Sequence, residues 1–365
     1  MVSWRRWGAV AAGVALLVAL SPAVGALPAR QSRVSAPALL AAVQASGRAG
    51  YSGYAEAVGG LRLPLTGQFS SLVDLFGGHT RLRVWWRSDQ DWRVDAVSAT
   101  GETDVHRDVR GTWIWEYESA RATLGYDPPV RLPRGADLDP AQLGRRLLSE
   151  ADPATVDRLP ARRVAGVDSP GLRLHPDDPQ TTISRVDVWA DPGTGLPLRV
   201  EVYGAGQRGP ALQTAFLDFA PRSPDPATTR FEPPPGADIS LVATEDLAAR
   251  IDQFAPVRPP AELAGYPLRR RVEGLGAIGT YGRGVTVLAA VPLAGRFSRP
   301  LRDVLADTPG IQDLDSGLLL TVGPLTLLLS NRELDGRAWL LAGTVTPDTL
   351  QRAAAELAQA PVGPR

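Results

Sequence analysis

The chain has three histidines in 365 residues, His79, His106 and His175, so chemistry that needs an imidazole has few places to sit. Glu102, Asp104 and His106 stand at i, i+2 and i+4, which on a strand puts all three side chains on one face. Two carboxylates and an imidazole so placed are ligands for a divalent cation. The same alternation also describes a solvated strand face paired with neighbouring arginines. A divalent site draws further ligands from other elements, so no metal is expected. His175-Pro-Asp-Asp-Pro179 has the composition of a turn. Gly274-Leu-Gly-Ala-Ile-Gly279 matches Gly-X-Gly-X-X-Gly, but strands flank it and no βαβ pattern follows, so it too reads as a turn. Arg269-Arg-Arg271 is a charge run, either a solvated edge or a contact for an acidic partner. There is no Gly-X-Ser-X-Gly elbow, His-Glu-X-X-His helix or Walker loop. Cysteine is absent, which excludes disulfides, thiolate metal sites, a Cys nucleophile and a lipidated N-terminal Cys. No enzyme and no cofactor are expected.

Composition narrows the classes further. Lysine is absent, so all 39 basic residues are arginine, and they balance 39 acidic ones. Zero net charge gives no argument for nucleic acid or an anionic membrane surface. The arginine, with abundant Ala, Gly and Pro, reflects a GC-rich coding bias. At the N-terminus, Arg5 and Arg6 precede an apolar run from Trp7 to Leu20. Ser21-Pro22 breaks it, and Val24-Gly25-Ala26 supplies small residues. Residues 1–26 therefore read as a cleaved secretory signal, or else as an uncleaved anchor. Either way the positive-inside rule places the remainder outside the cytoplasm.

The elements that would position any site are mostly strands. Ile183 to Ala190 and Leu196 to Tyr203 alternate apolar and polar residues about Asp191-Pro-Gly-Thr-Gly195, an antiparallel hairpin. Thr214 to Phe219 follows as a strand, and the three prolines of Phe231-Glu-Pro-Pro-Pro-Gly-Ala237 are expected to end the sheet. Upstream, Pro37 to Ala49 reads as a helix and Tyr51 to Val58 as a strand. A meander then runs from Thr80 to Tyr126, with Leu82, Val84 and Trp86 alternating against Arg81, Arg83, Trp85 and Arg87. Asp139 to Ser149 is a helix with Asp139 at its N-cap and Pro140 at N1. Arg163 to Val167 and Leu172 to His175 lead into the hairpin. The apolar stretch Gly59 to Gly78 is either a flap over a cavity or a core helix. Six tryptophans (Trp85, Trp86, Trp92, Trp113, Trp115 and Trp189) concentrate in these strands, where they either line a lipid-sized cavity or are core and rim.

Further on, Thr244 to Phe254 reads as a helix and Ala255 to Pro260 as a Pro-rich joint. Five strands follow: Gly276–Tyr281, Val285–Val291, Gly317–Val322, Leu325–Ser330 and Arg337–Val345. A helix from Thr346-Pro347 to Gln359 closes the chain. The runs Leu318-Leu-Leu320 and Leu327-Leu-Leu329 imply a sheet buried on both sides or covered by a partner.

Several of these stretches carry a family resemblance. "FSSLVDLFGGHTRLRVWWRSDQDWRVDAV", "GETDVHRDVRGTWIWEYES", "VWADPGTGLPLRVEVY", "TAFLDFAP" and "FEPPPGA" together resemble LolA-like and RseB/MucB-like proteins, from about Tyr51 to Ile239. "YGRGVTVLAAVP" and "WLLAGTVTPDTLQRAAAEL" resemble the C-terminal domain of RseB/MucB. The resemblance implies an α+β fold: a curved antiparallel half-barrel with helices on its concave face, plus a smaller C-terminal α+β domain. The implied division is 34–242 for the half-barrel, 243–264 for a helix and Pro-rich linker, and 265–360 for the second domain. The concave apolar face would bind an acyl chain, lined by Leu82, Val84, Trp86, Trp92, Val94, Trp113, Trp115, Val186, Val188, Leu198 and Val200. The implied function is non-enzymatic and extracytoplasmic: a binder of lipid or lipoprotein acyl chains that regulates a membrane-anchored anti-sigma-type protein. The alternative is a lipid or lipoprotein carrier.

Overall fold

The computed structural model describes residues 28–61, 77–99, 101–125, 133–241, 258–269, 277–331 and 337–359. The N-terminal signal or anchor, the apolar stretch over 62–76, the helix expected over 244–254, Arg270 and Arg271, and residues 274–276 of the glycine motif lie outside these residues.

Ser35 starts the first helix, α1 (Ala36–Ala45), by accepting the backbone N–H of Ala38, and α1 buries Ala36, Leu39, Leu40 and Val43. Strand β1 (Tyr51–Gly59) follows, then the meander β2 (His79–Ser88), β3 (Asp91–Ser98), β4 (Gly101–Asp108), β5 (Gly111–Glu116) and β6 (Arg121–Gly125). The expected helix is α2 (Pro140–Leu148), with Asp139 capping the N–H of Ala141 and Pro140 in the first turn. A second meander runs through β7 (Val156–Val164), β8 (Val167–Leu174), β9 (Ile183–Ala190), β10 (Pro197–Gly204) and β11 (Leu212–Ala220). After a single helical turn, α3 (Pro226–Thr229), comes β12 (Asp238–Leu241).

These strands form one open, curved sheet in the order β12-β6-β5-β4-β3-β2-β1-β11-β10-β9-β8-β7. Every neighbour is antiparallel except β12, which lies parallel to β6. The two meanders therefore meet in mid-sheet along β1 and β11. Helices α1 and α2 pack on one face, where Leu39, Leu40, Val43, Ala141, Leu143 and Leu148 share a core with the inward residues of the strands.

Two expectations are corrected here. The sheet does not end at the three prolines: the chain leaves β11, crosses the face opposite the helices, and rejoins the sheet as β12 at the far edge. Prolines 233–235 interrupt the strand without preventing a new one. The segment expected only from Arg163 is a full strand, β7. It carries Pro160 and a register break between Leu159 and Arg162, both tolerable because β7 is an edge.

The second sheet orders β15 (Gly279–Arg283), β16 (Thr286–Leu293), β20 (Ala338–Gly343), β19 (Leu325–Ser330), β18 (Gly317–Val322) and β17 (Gln312–Leu314), all antiparallel. Beside it lies a two-stranded ribbon, β13 (Glu262–Leu263) and β14 (Tyr266–Pro267). Gly279, the last residue of the glycine motif, opens β15, so no phosphate-binding turn into a helix exists there. Leu319, Leu328 and Leu341 pack under α5 (Pro347–Gln359), while Leu318, Leu320 and Leu329 pack with Leu301 and Leu305 of α4 (Gly295–Ala306). Both faces are thus covered, as the apolar runs required. Helix α4 has no counterpart in the sequence reading: Pro300 sits inside it and no side chain caps its start.

The loop between β8 and β9 joins the two sheets. Thr181 bridges Val345, the N–H of Thr182 donates to Thr344 O (3.0 Å), and the N–H of Thr346 donates to Gln180 O (2.8 Å). Thr182 Oγ1 donates to Pro324 O at 2.5 Å, and Tyr266 OH to Asp178 Oδ2 at 2.8 Å.

Candidate functional site

On the helix-covered face the strand registers bring most of the expected lining together. Leu82, Val84 and Trp86 of β2 stand opposite Ala96, Val94 and Trp92 of β3. Val186 and Val188 of β9 stand opposite Val202 and Val200 of β10, and Leu198 lies on the same face. Leu82, Val84, Val94, Val186, Val188, Leu198 and Val200 are fully buried beneath α1, α2 and the helical turn Gly135–Leu138 that precedes α2 and packs on β2 and β3. This part of the face is packed protein core.

The aromatic end differs. Tyr51 stacks on Trp86 (6.2 Å between ring centres) and Trp86 on Trp92 (5.4 Å), both with planes 8° apart. Phe219 and Phe216 continue the row on the other side of Tyr51. Trp92 and Phe219 are only partly buried. The Trp86 indole N–H is buried and finds no acceptor among the described residues, whereas buried indoles usually have one.

The row runs directly into a polar network. Gln142 donates to Tyr51 OH (3.0 Å) and accepts from Arg145 (2.8 Å), and Tyr51 OH donates to the fully buried Asp139. Burial pushes the Asp139 carboxyl up to about 7, against the opposing pull of the Tyr51 and Ala141 donors, and pushes the Tyr51 phenol up as well. Gln142 and Arg145, with Gln44, Arg146 and Ser149, line an open cleft of about 230 Å³ between α1 and α2.

Trp113 and Trp115 do not belong to this face. Their cross-strand partners are His106 and Asp104, while Ile114 between them pairs with Val105, the neighbour of Val94. With side chains alternating, the face that takes Val94 and Ile114 must exclude both tryptophans. They pack instead on the opposite face, around Phe231 of the segment that crosses to β12.

That opposite face holds a cluster the sequence reading half anticipated. A carboxylate oxygen each of Asp95 and Asp104 and a ring nitrogen of His106 lie within 4.8 Å of one another, all three residues buried. Asp95 comes from β3, across from Asp104, and replaces Glu102 of the expected trio; Glu102 pairs with Arg83 at 3.4 Å. Register, invisible in the spacing along one strand, makes the substitution. Arg93 holds Asp95 through two bonds (2.6 and 2.8 Å), reaches Asp104 at 3.3 Å, and lies 5.0 Å over the Trp85 ring. His106 Nδ1 donates to Thr229 O at 3.0 Å. Burial first, then the Asp95 charge, raises the Asp104 carboxyl to about 7, and burial lowers the His106 imidazole to about 4.

No family model and no curated protein matches the chain. Among solved structures, it is similar to the Pseudomonas aeruginosa MucA/MucB complex (19% identity, 87% of this chain and 96% of that one, TM-score 0.48). It is also similar to MucB alone (16% identity, 87% and 95%, TM-score 0.45). A LolA superfamily protein from Nitrosomonas europaea matches over 54% of this chain and 98% of its own, at 12% identity and a TM-score of 0.25.

Proposed function

We propose that the chain is a non-enzymatic, extracytoplasmic binding protein for an acylated ligand, a lipid or the acyl tail of a lipoprotein. The observation that carries this reading is the stacked row Tyr51–Trp86–Trp92, whose buried indole N–H at Trp86 has no acceptor among the described residues and whose Tyr51 end adjoins an arginine-lined cleft. Aromatic faces suit an alkyl chain, and the cleft suits a polar head. Each methylene buried along the row would contribute about 0.8 kcal/mol, with no bond made or broken. The lining is proposed as Trp86 and Trp92. A chain that went deeper, toward Leu82, Val84, Val94, Val186, Val188, Leu198 or Val200, would have to displace α1, α2 or the turn Gly135–Leu138.

Residues 34–242 are taken as the ligand domain, 243–264 as the linker and 265–360 as the partner domain. A second sheet bonded directly to the β8–β9 loop favours a regulator over a carrier, because it offers a surface that ligand in the first domain can influence. The partner class follows from the sequence resemblance: a membrane-anchored anti-sigma-type protein.

The test is native mass spectrometry of the protein from its own host, before and after organic extraction. A co-purifying mass that extraction removes, and that is lost in Trp86→Asp and reduced in the milder Trp92→Ala, supports the reading. A clean apo mass that takes up neither lipids nor acylated peptides overturns it.

A further inference from the structure

The segment from β11 to β12 crosses β2, β3, β4 and β5 before joining β6, and where it crosses it roofs the Asp95–Asp104–His106 cluster. Arg87 donates to Pro224 O at 2.5 Å, Thr229 Oγ1 donates to Asp91 Oδ1 at 2.5 Å, and Phe231 lies 4.7 Å from the His106 ring. Inside, the hydrogen bonds leave a particular remainder. The Nδ1–H of His106 is committed to Thr229 O, so the neutral ring carries its lone pair on Nε2. His106 is 2% exposed, and Nε2 has no partner among the described residues. Asp104 is 7% exposed, and its Oδ1 likewise has none. Two buried acceptors thus stand without donors beside a carboxylate pair whose charge is met by arginine alone, a donor set that a metal ion could complete.

We infer that Asp95, Asp104 and His106 bind a first-row divalent transition metal, of which Zn²⁺ is the natural example, beneath the crossing segment. An imidazole nitrogen with carboxylate oxygens suits zinc and its neighbours better than magnesium or calcium, which take oxygen alone. An Nδ1–H held by a backbone carbonyl is the arrangement that orients a ligating histidine through Nε2. The charges now beside the carboxylates are those of Arg93, whose side chain is 28% exposed and rests on Trp85, so it has a route outward, and of the more exposed Arg83, 3.9 Å from Asp95. Metal and guanidinium compete for Asp95 and Asp104. The metal's role is structural: it ties β3 and β4 to the crossing segment through His106 and Thr229.

Full-length protein freed of metal by chelation and titrated with Zn²⁺ by calorimetry should take up one ion per chain, and Co²⁺ should give a visible ligand-field absorption. Replacing His106→Ala or Asp104→Asn should weaken binding by about 100-fold or more, beyond what loss of a supporting group costs. Arg93→Gln, which removes the competitor, should instead tighten it. The inference fails if folded wild type binds no Zn²⁺ or Co²⁺, if binding survives His106→Ala unchanged, or if Arg93→Gln weakens it.

Discussion

Asp139 is asked to cap a helix from inside the core, with Tyr51 as its buried donor. Its folded pKa, about 7, lies above its ordinary value of 3.8, so the native state holds the proton more tightly than the unfolded chain. The contribution of this group is complete below about pH 4, declines as the pH rises toward 7, and is constant above. Asparagine caps as well and carries no charge. Asp139→Asn should therefore flatten that decline: its stability relative to wild type should rise from pH 4.5 to pH 7.5 by on the order of 2 kcal/mol, read from denaturant midpoints. A relative stability that does not change with pH would show that Asp139 stays ionised in the fold.

Among the elements, the β9–β10 hairpin and α1 depend on one residue. Gly195 has φ +74°, and a Cβ there would stand 2.4 Å from Ala42 O of α1. Gly195→Ala should lower stability by about 2 kcal/mol or more, from the left-handed backbone and the displaced helix together, measured by urea unfolding. The hairpin was legible because period-2 alternation and turn chemistry are local, and so were α1 and the helix capped by Asp139; the Ser35 cap of α1 was not read. Pro160 in β7 and Pro300 in α4 hid real elements, because an edge position and tertiary packing overruled the local signal. The lining was legible as apolar, but its division between faces was not. Trp86 and Trp92 fall on one side and Trp113 and Trp115 on the other through the pairings Val94–Val105 and Val105–Ile114, which no single strand encodes. Asp95 joined Asp104 and His106 for the same reason.

Across the whole molecule, the joint between the sheets turns on Thr182. Its hydroxyl, buried, donates to Pro324 O while its N–H donates to Thr344 O. Thr182→Val keeps the shape but strands the carbonyl, a loss of about 1–3 kcal/mol. Hydrogen exchange should quicken in β18, β19 and β20 and remain slow in β9 and β10. Equal quickening in both sheets would mean that they open as one cooperative unit. The strand order carries a different consequence, for assembly. Each meander is a series of hairpins between sequence neighbours, yet β1 pairs with β11, so residues 51–59 must wait for residues 212–220. Closing so long a loop costs entropy that is recovered only when the central ladder zips. The half-sheets can form as their residues emerge, but their fusion waits until β11 has been made, while the second sheet is still to come. Until then β1 offers an open edge in mid-sheet, and this is the interval in which a chaperone would find the chain.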